Sequence, residues 1–192
     1  MTPRGAARPP RRVLTKVLAP LAGEHYVVYQ LLRRGVTASL APPGALEDVL
    51  VTSPSGEVVF AGVRVKVRIE GMETGWTMNE EAERLAHPQL MYALVDMERA
   101  APITYIVPSV IVAEAIATSY DASLATPDAD GQQRPQSRAR RLSPAYTYPV
   151  PGYPPGWLNR YRDEWDLLTS YAPDEPIPRV VRPGPSLDPP PA

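Results

Sequence analysis

Proline sets the outer limits of what this chain can fold into: 25 of its 192 residues are proline, and they crowd toward the ends. Three fall within the first ten residues and thirteen between Pro144 and Pro191. Each proline removes a backbone donor and is excluded from helix interiors and central strands, so regular structure is expected mainly in the middle. The expected organisation is a flexible basic arm over 1–17, a core domain over 18–120, a loop-rich segment over 121–156, a docking helix over 157–171 and a disordered Pro-rich tail over 172–192. The arm carries Arg4, Arg8, Arg11, Arg12 and Lys16 without an acid. Its apolar stretch is broken by Lys16 and Pro20, which argues against a signal peptide. Tail segments such as 183–191 offer polyproline II surface to a protein partner.

The absence of cysteine removes disulfide scaffolds, thiolate zinc sites, iron–sulfur clusters and cysteine nucleophiles together. No apolar run reaches the 18 or so residues that span a bilayer, so the expected setting is cytoplasmic, with no membrane partner. There is no Walker A, G-x-G-x-x-G, G-x-S-x-G or H-E-x-x-H motif, which leaves serine hydrolases and nucleotide-cofactor enzymes without support. His25 and His87 have no partner at metal-ligand spacing.

Within the middle, apolar spacing after Pro20 predicts a helix over 19–34 closed by Gly35. Short strands are expected over 36–41 and 48–52, and a turn at 53–57 leads into a longer strand over 58–69. In that strand Val63, Val65, Val67 and Ile69 alternate with Arg64, Lys66 and Arg68, so one face is apolar and the other cationic. The Thr77 to Glu80 spacing predicts a capped helix ending before Pro88. Strands over 91–97 and 104–107 and a helix capped by Ser109 over 110–120 follow. Leu158, Tyr161, Trp165 and Leu168 recur at helical spacing and predict the docking helix. Its two tryptophans are read as packing residues, although exposed aromatics can also stack on a base.

Only two of the 20 basic side chains are lysine, Lys16 and Lys66. In so Arg-rich a chain, a lysine inside an apolar strand hints that a compact, titratable ammonium is wanted there. The order helix, three strands, helix, two strands, helix, with Asp48 and Lys66 on adjacent arms of a hairpin, resembles the PD-(D/E)XK, or restriction endonuclease-like, superfamily, in particular its small bacterial members similar to Holliday junction resolvases. The residues carrying the resemblance are Gly23-Glu24, Leu31 to Gly35, Asp48, Val63-Arg64-Val65-Lys66, Tyr92 to Asp96 and Tyr105 to Ser109. It covers about 23–120 and the 157–168 segment.

The resemblance implies an α/β fold with a mixed central sheet of about five strands flanked by helices. It also implies Mg2+-dependent hydrolysis of DNA, in which Asp48 ligates the metal, Lys66 orients water or stabilises the charged transition state, and Glu24 holds a second metal or water. Related folds often dimerise, so a homodimer is compatible with it. Arg64 is the departure, because the family places Glu, Asp or Gln there. A guanidinium cannot ligate Mg2+ and favours pairing with Asp48 instead. The alternative implied is an inactive nuclease-fold module that binds nucleic acid or protein.

Two constraints bear on this reading. A tight turn pairs Asp48 with Val63 and puts Asp48 and Lys66 on opposite faces. One bulge residue, expected at Gly62, would set Arg64 opposite Asp48 and Lys66 on the same face. Charge is the second constraint: residues 20–120 hold seven basic against twelve acidic side chains, a poor balance for phosphate binding. The arm and the Arg134 to Arg141 cluster are the basic segments that could offset it. The simpler readings are a turn-flanking acid for Asp48, a solvated strand face for Lys66 and a helix-dipole acid for Glu24.

Overall fold

The computed structural model describes residues 14–69, 74–98, 101–128 and 130–169. The expected basic arm, apart from its last four residues, and the whole Pro-rich tail lie outside them. Helix α1 (Ala19–Leu32) starts with Pro20 in its first turn, where a missing donor is harmless. It stops at Gly35, whose φ of +78° lets the Val36 N–H return to the Leu31 carbonyl at 3.1 Å.

Strands β1 (Ala38–Leu40), β2 (Val49–Thr52) and β3 (Val59–Arg68) form an antiparallel meander. The chain then leaves the sheet through β4 (Trp76–Asn79) and a 3-10 helix at Glu80–Arg84. It returns as β5 (Leu90–Asp96), parallel to β3, and β6 (Ile103–Pro108) pairs antiparallel with β5. The result is a five-stranded mixed sheet in the order β1-β2-β3-β5-β6, the α/β architecture expected from the sequence. Every residue of β5 is buried, as befits a strand covered on both faces.

Two cores lie on opposite sides of this sheet. On one side Val27 and Leu31 of α1 pack on Val49, Ala61, Val63, Val65, Ala93 and Ile106. On the other, Val112, Ala115 and Ile116 of α2 (Ser109–Ala125) pack with Tyr92, Leu94, Val107, Trp76 and Leu142.

Four local expectations are corrected. The helix expected from Thr77 starts only at Glu80, as the 3-10 helix ending at Arg84; residues 76–79 are a strand, because Trp76 and Met78 point inward while Thr77 and Asn79 point outward, and that period of two pairs with β7 (Ala139–Leu142). Asn79 makes no capping bond. Residues 121–156 are mostly without regular structure, as read, and the correction there is confined to the last turn of α2 and to β7. Ser109 does not cap α2: its hydroxyl donates to the His87 carbonyl at 2.8 Å and accepts the His87 N–H at 2.9 Å, clamping the preceding loop.

The docking helix is the fourth. It is broken into a 3-10 helix, Trp157–Tyr161, and a short α3, Asp166–Thr169. Between them Asp163 takes φ +55°, a left-handed conformation that ends helical propagation. Of the four residues in the pattern, Leu158, Trp165 and Leu168 are buried and Tyr161 is only partly so; Trp157 is buried as well.

Candidate functional site

The hairpin register decides what can meet. Val49, Leu50 and Val51 pair with Val63, Gly62 and Ala61, but Thr52 pairs with Val59, so Phe60 is an extra residue. The bulge required by the sequence argument is present, two residues before Gly62. It carries Asp48 opposite Arg64 and onto the side of the sheet that Lys66 faces. Gly62, the expected bulge site, is instead regularly paired with Leu50, and its lack of a side chain answers to a close approach: a Cβ there would run into Cγ of Glu47.

Asp48 is fixed at two points. Its N–H donates to the Val63 carbonyl at 2.9 Å, and its Oδ2 accepts the Val65 N–H at 2.7 Å. The carboxylate thus stands in for the next backbone rung, at the place where β2 begins and β3 would otherwise expose a donor. One carboxylate oxygen is thereby committed to structure.

Lys66 is half-buried, and among the described residues it has neither a hydrogen bond nor an ion pair. Burial and the neighbouring Arg64 push its pKa below the ordinary lysine value, and Asp48 only partly offsets them. Glu24, on α1, has its carboxyl raised by burial and by the negative charge of Asp48, against a smaller pull from His25. Asp48 therefore acts on both Lys66 and Glu24, whereas Lys66 is influenced by Arg64 and Glu24 is not, and Glu24 belongs to α1 on the opposite face of the sheet from Lys66.

One further residue belongs here that sequence reasoning did not single out for the site. Tyr92 of β5 is paired with Arg64 across the parallel ladder, is fully buried, and its hydroxyl has no hydrogen-bond partner. The Arg64 guanidinium lies close enough to pull the Tyr92 pKa down against the larger upward push of burial. Arg64 acts on Tyr92 through its charge and, more weakly, as a side-chain hydrogen-bonding neighbour, while neither the Tyr92 hydroxyl nor the buried Arg64 Nε meets a partner in full hydrogen-bond geometry. The only signal in the sequence was a tyrosine within an otherwise apolar buried strand.

These side chains open into a cleft of about 210 Å3 lined by Arg64, Lys66 and Tyr92 from the sheet and by Thr77, Met78, Asn79 and Ala82 from β4 and the turn after it. The walls are rich in donors, which suits an anion. A divalent cation fits poorly. Asp48 has one oxygen engaged, Arg64 stands where a second ligand is needed, and among the described residues no group of three or more His, Asp or Glu side chains could hold a metal ion.

Of the basic cluster at 134–141 only Arg140 is buried, and Arg134, Arg138 and Arg141 are exposed. Arg140 is ion-paired with Glu83 and stacks over the Tyr120 ring, Arg138 pairs with Glu80 at 3.6 Å, and Arg134 lies over Tyr148. It is part of the β4–β7 ribbon and its approaches, rather than a free arm. No helix among the described residues is long and apolar enough to cross a membrane.

No family model matches the chain, and no curated protein does. Among solved structures it is similar to a bacterial homing endonuclease, I-Ssp6803I, with a TM-score of 0.46 and 13% identity, over 81% of this chain and 92% of that one. Likeness at that level leaves function to be argued from the residues themselves.

Proposed function

We propose that this chain is a nuclease-like, nucleic-acid-associated protein of the PD-(D/E)XK type that binds DNA through Arg64 and Lys66 of β3, the third cation of that face, Arg68, being ion-paired with Asp96 and Glu98, and that it does not cut it. The observation that carries this reading is the bulged register, which sets Asp48, Arg64 and Lys66 side by side in the arrangement the resemblance requires. Arg64 then occupies the place of a metal-binding carboxylate, and a site built for a cation becomes one suited to a phosphate.

A specific observation favours a second reading, Mg2+-dependent hydrolysis through Asp48 and Lys66 with Glu24. After burial, the charge of Asp48 raises the Glu24 pKa, which supports a role for the two carboxylates together. The committed Asp48 oxygen and the Arg64 charge weigh against it.

Fluorescence anisotropy with a labelled duplex and a labelled four-way junction, each with and without Mg2+, separates the readings. The expected result is binding with a shallow salt dependence, a log–log slope near −2 for about two neutralised phosphates, weakened in Lys66→Met, and no cleavage on a denaturing gel. Metal-dependent cleavage abolished by Asp48→Ala would replace this reading with the second. No binding to either DNA would overturn both.

A further inference from the structure

Buried donors without partners are rare in folded proteins, and the β3–β4 cleft brings two of them together: Arg64 Nε and the Tyr92 hydroxyl. Lys66, which has no ion-pair partner among the described residues, lines the same space. Tyr92 is fully inaccessible to solvent in its surroundings, and its position opposite Arg64 is set by the β3–β5 ladder, so this is a preorganised feature of the sheet. An arginine fork, an ammonium and a phenol line this one cleft and supply donors of three geometries and two positive charges, the phenol oxygen being the one acceptor among them.

We infer that the cleft between β3 and β4 is a pocket for one phosphomonoester group, gripped by Arg64 and Lys66 and oriented by a hydrogen bond donated by the Tyr92 hydroxyl. The number of donors selects the ligand: three donor side chains match the three free oxygens of a terminal phosphate better than the two of an internal phosphodiester, and Arg64 and Lys66 still outweigh the single negative charge of Asp48 beside them. Size agrees, since about 210 Å3 is below the roughly 300 Å3 at which pockets for whole small molecules begin. The nearby Asp48 does not compete for the anion's donors, because its Oδ2 already accepts the Val65 N–H. The same chemistry is presented by inorganic phosphate and by a phosphorylated nucleic-acid end. Only the second source rests on the function proposed above.

The test uses the full chain and two probes. The first is inorganic phosphate, followed by thermal unfolding and titration calorimetry against chloride at matched ionic strength. The second is one oligonucleotide with either a 5′-phosphate or a 5′-hydroxyl. Phosphate is expected to raise the unfolding midpoint above the chloride control. Tyr92→Phe removes only the hydroxyl and is expected to weaken phosphate binding on the order of tenfold, the loss of one charge-assisted hydrogen bond. Lys66→Met provides a second variant, and it is expected to weaken binding at least as much.

A phosphorylated oligonucleotide that binds more tightly than its hydroxyl twin and is displaced by phosphate supports the nucleic-acid end as the ligand. If phosphate stabilises the protein but neither oligonucleotide binds, the pocket stands with free phosphate as its ligand and the nucleic-acid reading falls. If both oligonucleotides bind equally and phosphate acts no better than chloride, the nucleic-acid reading stands and the pocket is overturned. Unchanged phosphate affinity in both Tyr92→Phe and Lys66→Met also overturns it.

Discussion

The charged form of Lys66 is disfavoured by its place in the fold. Burial and Arg64 hold its pKa below the ordinary value of 10.5, so the folded protein gives up that proton more readily than the unfolded chain does. Below the lowered pKa the full penalty of a buried, unpaired ammonium is present. Between the lowered pKa and 10.5 the unfolded state binds more protons, and stability attributable to this group rises with pH. Lys66→Met, which keeps the stem and removes the charge, is therefore expected to raise the urea midpoint at neutral pH, and the gap to wild type should narrow as pH climbs toward 10.5. A Lys66→Met protein less stable than wild type at pH 7 would show that the ammonium has a stabilising partner. At this scale the sequence was legible where chemistry follows spacing. Asp48 and Lys66 stand out because alternation and a hairpin bring them near each other. Tyr92 was not legible as a site residue, because its role comes from a parallel partner 28 positions away that no local pattern announces.

The elements around these residues are held by close approach rather than by strong pairs. Helix α1 lies so near β3 that a Cβ on Gly23 would come 2.2 Å from Cγ2 of Val67 and 3.3 Å from Cγ1 of Val65. Val67 is β-branched and stiff at χ1, so the helix would have to lift. Gly23→Ala is expected to destabilise by about 1–3 kcal/mol, overpacking outweighing the better helix propensity of alanine. In urea denaturation the double variant Gly23→Ala, Val67→Ala should recover part of that loss, a non-additivity that marks the pair as the contact at fault. Full additivity would place the strain elsewhere. Because Glu24 follows Gly23 directly, this contact also sets how near its carboxylate comes to Asp48.

The hairpin and the buried strands were legible at this scale to within one or two residues. The β4–β7 ribbon was not. Thr77 and Glu80 satisfy the spacing of a helix cap, and β7 reads as a charged loop because Ala139-Arg140-Arg141-Leu142 holds only one large apolar side chain. Arg140 is buried there because Glu83 and the Tyr120 ring receive it, and neither partner is near it in sequence.

Over the whole molecule, the segment after residue 156 fastens the two cores to each other. Trp157 and Leu158 enter the core on the α2 side, and Trp165 and Leu168 enter the core on the α1 side. The chain passes between them around the edge of β6, where Tyr105 bridges Arg162 and the Asp163 N–H donates to the Thr104 carbonyl at 2.8 Å. That crossing also covers part of an edge strand that would otherwise expose its backbone. The sequence pattern caught the burial of these side chains but assigned them to one helical stripe, since spacing alone cannot show that a left-handed Asp163 sends the two halves to opposite faces. A domain ending at 120 therefore lacks parts of both cores.

With β5 buried on both faces and one strap closing both layers, the described residues should unfold as a unit. Leu158→Ala and Trp165→Ala remove buried side chains from opposite faces and are each expected to destabilise by about 2–5 kcal/mol. Both should shift a single urea transition, monitored by circular dichroism and by tryptophan fluorescence, with coincident curves and an unchanged slope. A transition that splits in either variant, or a fluorescence curve that parts from the circular dichroism curve, would mean that the two cores unfold separately and that the strap joins them without coupling them.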